Sequence, residues 1–204
     1  MVNFNFKIEP RLLSALLDFT LADYEFRPSM GGIHFEVSSE KILVIATNGV
    51  LMGIAKLDNN QEIAKPFSFT APRELFLKII SIKNPNDIEI KVEEQIITAS
   101  QNDKVTISYS ANIITYSFLD WRRALPLNFD NKPAQYDPAL MVVINRVANK
   151  IKKNCPTYIT PNDNKAGYID FGRDDFFGVI MPVKPQITKT LPSWVLQKTS
   201  ANNK

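Results

Sequence analysis

The sequence predicts an α+β fold built from three similar units. A helix opened by proline recurs at intervals of roughly 50–60 residues, and each helix is followed by several strand-like stretches. Strands that follow one another without helices between them form antiparallel sheets, which are typical of the α+β class. The chain has 204 residues, of which 45% are hydrophobic. It is therefore long enough to bury a substantial core.

The first unit begins with residues 2–8, where apolar and polar residues alternate as in a strand. Glu9-Pro10 then opens a helix with an apolar face of leucines, because proline fits the first turn of a helix. Three strands follow up to residue 54. The last two are joined by Asn48-Gly49, and this dipeptide between apolar runs is a strong hairpin signal.

The second and third units repeat this order. The second has a strand at 66–70, a helix opened by Pro72 and strands at 88–92, 96–100 and 105–110. The third begins near Ala134 and has a helix opened by Pro138, followed by strands at 157–160, 167–171 and 176–181. We expect a two-unit domain over residues 1–118, a junction at 119–133, a third unit at 134–185 and a flexible tail at 186–204.

The junction opens with an unusual sequence, Phe118-Leu119-Asp120-Trp121-Arg122-Arg123-Ala124-Leu125-Pro126. It is more aromatic and more basic than an ordinary linker. It resembles the F-P-D-Y-R-R-V-L-P junction of the bacterial DNA polymerase III beta sliding clamps. Three further segments resemble that family in the same order. They are Arg27–Ile33 at the start of its central domain, Ala46–Gly49 at its A-T-D-G turn, and Val179–Val183 at its V-V-M-P-M end.

The resemblance covers residues 2 to about 185. It implies clamp domains of two units each, with the helices facing a central hole. Relative to that family, the chain resembles the central domain plus the last half-domain.

In the sliding clamps these four segments form a pocket for short peptides of polymerases and clamp loaders. By position, the resemblance implies a pocket made by Arg27, Met30, Thr47, Gly49, Met52, Leu119, Arg123, Ala124, Val179 and Met181. Methionines and small residues suit an adaptable apolar groove, and an arginine at its rim can bind polar groups of a peptide. Without the resemblance, the three methionines and Val179 would be interpreted as core. Leu119 and Ala124 replace a proline and a valine of the family, so we expect a pocket of different shape.

Basic residues on two predicted helices are candidates for DNA contacts. The third helix carries Arg146, Lys150 and Lys153 on one face, and the second carries Arg73 and Lys78. The resemblance implies that such residues meet phosphates of double-stranded DNA without reading its sequence. The alternative is an ordinary solvated basic face. If Lys150 contacts DNA, replacing it by Ala lowers the salt dependence of binding by about one unit.

No catalytic group emerges from the sequence. His34 is the only histidine, and Cys155 is the only cysteine, which leaves no disulfide and no histidine-centred triad or multi-histidine metal site. Neither phosphate-binding glycine motif is present. We therefore expect a non-catalytic protein without cofactor or metal. The lack of a signal-peptide pattern and of an apolar run of about 18–20 residues predicts a cytoplasmic protein without a membrane span.

Two functions are compatible with these features. The first is a sliding-clamp-like processivity factor that tethers a DNA polymerase or another replication or repair partner. It would encircle DNA as a homo-oligomer, and four copies would match the twelve units of the family's ring. The alternative is a non-encircling adaptor or decoy, for example from a phage or mobile element, that binds clamp-interacting proteins. In either case the tail segment Leu191–Leu196 is a candidate docking segment.

Overall fold

A computed structural model describes residues 3–23, 25–102, 105–152 and 156–183 of the chain. It has the predicted α+β architecture. The helices are α1 (Pro10–Leu17), α2 (Arg73–Ile80) and α3 (Pro138–Ile151). The strands are β1 (Asn3–Ile8), β2 (Gly32–Val37), β3 (Lys41–Thr47), β4 (Leu51–Asp58), β5 (Phe67–Pro72), β6 (Ile88–Glu93), β7 (Ile96–Asn102), β8 (Thr106–Asn112), β9 (Tyr158–Thr160), β10 (Gly167–Arg173) and β11 (Phe176–Ile180).

The helices begin where proline and its neighbours allow it. Pro10 and Pro138 stand in the first turns of α1 and α3, where an amide proton would have no helical partner. The Asp137 carboxylate caps α3 by accepting a hydrogen bond of 2.8 Å from the Ala139 amide. None of the helices within the described ranges is long and apolar enough to cross a membrane.

The first two units exchange their first strands. β1 pairs with β6 of the second unit, and β5 pairs with β2 of the first unit. The sequence predicted each strand but not this exchange. As a result, the two units are interlocked through two sheets rather than placed side by side.

The third unit extends the sheet of the first. β11 pairs antiparallel with β4, so the larger sheet has seven strands in the order β5-β2-β3-β4-β11-β10-β9. The smaller sheet has the order β1-β6-β7-β8. Ahead of α3, the stretch where a first strand of the third unit was expected forms an isolated bridge between Gln135 and Val183. We call the β4–β11 contact the seam.

Two facing glycines allow the core to reach up to the seam. Gly53 of β4 lies opposite Gly178 of β11. A Cβ atom on Gly53 would lie 2.6 Å from the ring of Phe19, closer than real Cβ contacts. Phe19 and Phe171 are both buried beneath the seam, with ring centroids 6.4 Å apart. The glycines thus make room for an aromatic layer that joins the third unit to the first.

All three helices lie on one side of the sheets. α1 packs against both α2 and α3, so the order across this layer is α2-α1-α3. The main core lies between the helices and the sheets and contains the leucines of α1 and the phenylalanines of β1 and β2. Burial of this apolar surface is the main source of stability. The helices cover one face of the seven-stranded sheet. The other face packs against the junction segment.

Candidate functional site

A second apolar cluster covers the outer face of the seven-stranded sheet. Its strand residues are cross-strand neighbours, since Ile45 lies opposite Ile54 and Met52 lies opposite Val179. These side chains alternate with those that face the main core, as expected for a pleated sheet. The junction segment lies on this row and contributes Trp121, which is only 5% exposed. Four more residues of the junction segment pack against this cluster and are partly buried. They are Phe118, Leu119, Ala124 and Leu125.

Trp121 and Arg122 fasten the junction to strand β2 through one carboxylate. The Trp121 Nε1 donates a hydrogen bond of 2.8 Å to Glu36 Oε1. Arg122 donates two further bonds to the same carboxylate, of 2.9 Å and 2.5 Å. Its guanidinium also stands 4.3 Å from the centre of the Trp121 ring. The Arg122 hydrogen bond holds the pKa of Glu36 below its usual value. Bidentate pairing of this kind fixes geometry as well as adding energy.

His34 supports the beginning of the junction from the same strand. Its ring stacks on Phe118 with centroids 4.2 Å apart and an angle of 1° between the planes. Nδ1 lies 2.9 Å from the Thr70 hydroxyl. Burial lowers the pKa of His34 to about 4, although nearby Glu36 acts in the opposite direction. The imidazole is therefore neutral at physiological pH and acts as a packing group.

We expect stability to fall in mild acid because of His34. The unfolded imidazole binds a proton below about pH 6.5, whereas the folded one resists protonation down to about pH 4. The full contribution is present above pH 6.5 and is lost as the pH falls through this window. The free energy of unfolding should drop by about 2 kcal/mol between pH 6.5 and 4.5. Urea titrations would show a smaller drop for His34→Gln. Equal drops in both proteins would contradict this assignment.

The β3–β4 turn is fixed by its own side chains. The Thr47 hydroxyl donates to the Leu51 carbonyl at 2.8 Å and accepts from the Gly49 amide at 3.0 Å. The Asn48 side chain accepts from the amides of Val50 and Leu51. Gly49 has a φ of +92°, a backbone conformation that favours glycine. Buried Thr47 therefore shapes the turn and offers little surface to a ligand.

The predicted rim residues gather around this turn. A Cβ atom on Gly49 would lie 3.1 Å from Arg27 Nη1 and 3.8 Å from Met30 Sδ. On the other side of the turn, the Met181 amide donates to the Val50 carbonyl at 2.9 Å. Met181 is 40% exposed and Val50 is 45% exposed. The turn and the end of β11 thus present an accessible apolar surface beside the buried Met52–Val179 pair.

Eight of the ten predicted pocket residues lie on this turn, at the seam or on the junction, and Arg27 and Met30 lie beside the turn. Met52 and Val179 are buried in the cluster, and Leu119 and Ala124 pack against it. Arg123 differs, since it is 86% exposed on its side chain and forms a 2.9 Å ion pair with Asp120. We call the area formed by Met30, Gly49, Val50, Leu119 and Met181 over this buried pair the seam surface.

Sequence reasoning missed the residues that hold the junction in place. His34 and Glu36 are two apart on a strand, so they share the face opposite Phe35. The available signals were the two polar residues on a mostly apolar predicted strand and, separately, the Trp-Arg-Arg motif far along the chain. The Glu36–Arg122 pair also lines a groove of about 360 Å³, together with Lys41 and Phe67.

The basic residues of the helix layer have different environments. Lys78 is exposed on α2, whereas the Arg73 guanidinium donates a 2.9 Å bond to the Thr20 hydroxyl. Arg146 is exposed and lies 3.7 Å from Asp18. Lys153 lies outside the described residues. A cavity of about 690 Å³ between the helices is lined by residues including Arg11, Lys83 and Lys150.

Lys150 has intramolecular partners that the sequence did not reveal. Its Nζ lies 2.7 Å from the Asp18 carboxylate and donates a 2.9 Å bond to the Ser14 carbonyl. Both partners belong to α1 or its C-terminal cap. Lys150 therefore helps to dock α3 on α1.

We expect Lys150→Ala to reduce stability by about 1–2 kcal/mol. The substitution leaves the Asp18 carboxylate, only 12% exposed on its side chain, without its closer cationic partner. Lys78→Ala serves as a matched control, because Lys78 lies on the exposed side of α2. Chemical denaturation of both variants would measure the difference. Equal stabilities would rule out a docking role for Lys150.

No group of three or more histidines, cysteines or acidic residues could hold a metal ion within the described ranges. Cys155 lies outside them.

Comparisons with known proteins agree with the resemblance found in the sequence. No family model matches the chain. A curated relative, the beta sliding clamp of Haemophilus influenzae, is 24% identical over 127 residues, which make up 61% of this chain and 34% of that protein. The chain therefore spans about a third of the length of this relative.

Solved sliding clamps share the fold. The beta subunit of DNA polymerase III from Thermotoga maritima superposes with a TM-score of 0.67 at 12% identity, covering 89% of this chain and 66% of that one. The DNA polymerase sliding clamp of Bacillus subtilis gives 0.70 at 12% identity, covering 90% and 65%. The clamp of Pseudomonas aeruginosa gives 0.69 at 15% identity, covering 89% and 67%. The resemblance to the sliding clamps and the predicted clamp-like α+β fold are thus confirmed.

Proposed function

We propose that this protein is a sliding-clamp-like processivity factor that tethers a DNA polymerase by a short peptide bound on the seam surface. One observation carries the proposal. The β3–β4 turn, the junction and the end of β11 are far apart in sequence, yet they meet at one accessible apolar area. These are the segments through which the chain resembles the clamps.

The chemistry of the seam surface suits a short apolar peptide. Met30 and Met181 have flexible, polarisable side chains that adapt to differently shaped ligands. Buried Met52 and Val179 form a firm floor beneath them. Arg27 lies on the exposed side of the turn, where its guanidinium can bind a peptide carbonyl or carboxylate. The peptide is thus expected to place an apolar side chain on the seam and a polar group near Arg27.

The junction supplies a preorganised wall for this site. Its fixation through Glu36, Trp121 and Arg122 is already present without a ligand. A preformed wall reduces the entropy lost on binding. Arg123 is not assigned to the wall, since its side chain points to solvent.

The helix layer is the proposed surface for double-stranded DNA. Arg11, Lys78, Lys83 and Arg146 are exposed there. Such residues would neutralise phosphates without reading bases, as a protein that slides along DNA requires. Lys150 is assigned to helix docking rather than to this set, because its Nζ already contacts Asp18 and Ser14.

We expect DNA binding that is independent of sequence and sensitive to salt. Fluorescence anisotropy with a labelled duplex, repeated over a range of salt concentrations, gives the slope of log K against log salt. Lys78→Ala should lower this slope by about one unit. Leu77→Ala, at the neighbouring exposed position, is the neutral control. An unchanged slope for Lys78→Ala would remove Lys78 from the contact set.

A non-encircling adaptor is the second candidate, and the ion pairs of α3 favour it. Lys150 and Arg146 both have Asp18 as a partner, which leaves α3 with less free positive charge than its sequence suggests. An adaptor would bind the polymerase peptide without measurable affinity for duplex DNA. A processivity factor would bind both. The two binding measurements therefore separate the candidates.

A further inference from the structure

The apolar area on the outer face of the sheet extends beyond the seam surface. Tyr168 of β10 lies directly opposite Val179, so its side chain continues the same row into the third unit. The Tyr168 ring stacks on Phe177 with centroids 5.3 Å apart and meets Phe129 edge to face at 6.2 Å. We call Phe129, Tyr168 and Phe177 the aromatic strip. Phe129 is 41% exposed and Leu127 is 84% exposed, and contiguous exposed apolar area of this kind marks an interaction site.

Residues 184–204 begin beside this area. The Val183 amide donates a hydrogen bond of 2.8 Å to the Gln135 carbonyl, which fixes the chain two residues after Met181. The tail segment Leu191–Leu196 lies outside the described residues. An extended chain advances about 3.4 Å per residue, so residues 184–190 can span up to about 24 Å. This length is ample for the segment to return from Val183 to the seam surface.

The composition of the segment suits an apolar surface. Leu191, Trp194, Val195 and Leu196 are concentrated within six positions, whereas residues 197–204 are polar apart from one alanine. Tryptophan is among the residue types that contribute most to binding energy at interfaces. Leu191 and Trp194 lie about 10 Å apart in an extended chain, and neighbouring strands are about 4.8 Å apart. The spacing of the two side chains therefore matches the step from the seam to the aromatic strip.

The charges of the two parts are complementary. Residues 184–204 carry Lys184, Lys189, Lys198 and Lys204 and no acidic residue. The aromatic strip is bordered by carboxylates, since Asp170 lies opposite Phe177. Burial and the nearby charges of Asp170 and Asp174 raise the pKa of Tyr168. A basic segment is attracted to such a border, whereas an acidic one would be repelled.

We propose that the tail segment docks on the outer face of its own chain, with Leu191 on the seam surface and Trp194 on the aromatic strip, and thereby competes with the polymerase peptide. The competition rests on the proposed function, whereas the docking does not. Because the segment is tethered, its effective concentration at the seam is of the order of 1 mM. A segment that binds with a dissociation constant of about 100 µM would then weaken peptide binding about 10-fold.

Fluorine NMR of the full chain labelled with 5-fluorotryptophan tests the docking without any peptide. The chain has two tryptophans, Trp121 and Trp194, and Trp194→Phe assigns their signals. We expect the Trp194 signal to be protected from a soluble paramagnetic agent. Phe129→Ser and Met181→Lys, both at exposed positions of the outer face, should each remove most of this protection. Val142→Lys, at an exposed position of the helix layer, is the matched control and should leave it unchanged.

Isothermal titration with the polymerase-derived peptide tests the competition. Trp194→Ala should raise the peptide affinity about 10-fold, because the tethered segment no longer occupies the site. Thr199→Ala changes a polar position outside the segment and should leave the affinity at the native level.

The outcomes separate docking, competition and the proposed function. Protection of Trp194 that both outer-face variants remove, together with tighter peptide binding by Trp194→Ala, supports the proposal. A freely accessible Trp194, protection that neither variant reduces, or protection that is lost on dilution overturns docking within one chain. Unchanged peptide affinity in Trp194→Ala overturns the competition. Protected Trp194 in a chain that binds no peptide in any variant would support the docking while the proposed function failed.

Discussion

Replacing Trp121 by Ala is expected to lower the free energy of unfolding by about 3 kcal/mol or more and to abolish peptide binding. The side chain is 5% exposed and packs in the outer-face cluster. Its loss leaves a cavity beneath the junction, and it also removes one hydrogen bond to Glu36. The wall of the seam surface would then no longer be fixed.

Tyr116→Ala is the control for this experiment. Tyr116 is an aromatic residue shortly before the junction and is 64% exposed. We expect a change in stability below about 0.5 kcal/mol. Chemical denaturation followed by circular dichroism would compare the two variants. A Trp121→Ala protein as stable as the native chain would contradict the role of this residue as an anchor.

Met181→Lys is expected to weaken binding of a polymerase-derived peptide at least about 10-fold without a comparable loss of stability. Met181 is 40% exposed, so the lysine can remain solvated in the free protein. In the complex, its ammonium group would be covered by apolar peptide side chains and would lose water. Isothermal titration with a peptide through which a bacterial replicative polymerase contacts its clamp would measure the loss.

Val142→Lys adds the same charge on the opposite side of the sheet. Val142 is 60% exposed on α3, in the helix layer. Peptide affinity should therefore stay at the native level in this variant. Equal weakening in both variants would indicate a general effect of charge, and unchanged affinity in Met181→Lys would place the peptide elsewhere.

The local features of this fold were predictable from the sequence because they depend on neighbouring residues. The Asn48-Gly49 hairpin and the proline-opened helices follow from turn and cap chemistry. The exchange of β1 and β5 between units was not predictable, because alternation shows that a strand has one buried face but does not identify its partner.

The candidate site was predictable only through the resemblance. Met52 and Val179 are 127 residues apart in the sequence, and only the β4–β11 register places them side by side. Spacing placed Lys150 on the face of Arg146, but its ion pair with Asp18 depends on how α3 packs against α1. His34 and Glu36 were missed because their role becomes visible only when the junction lies over them.

Methyl NMR of the methionines tests the central claim most directly. The chain has five methionines, and Met30, Met52 and Met181 lie at the seam surface, whereas Met141 lies on α3. With 13C-labelled methionine methyl groups, addition of the polymerase-derived peptide should shift Met181 and Met30 most, Met52 less and Met141 least. Saturable binding that shifts Met141 while Met30 and Met181 stay in place would contradict a peptide site at the seam.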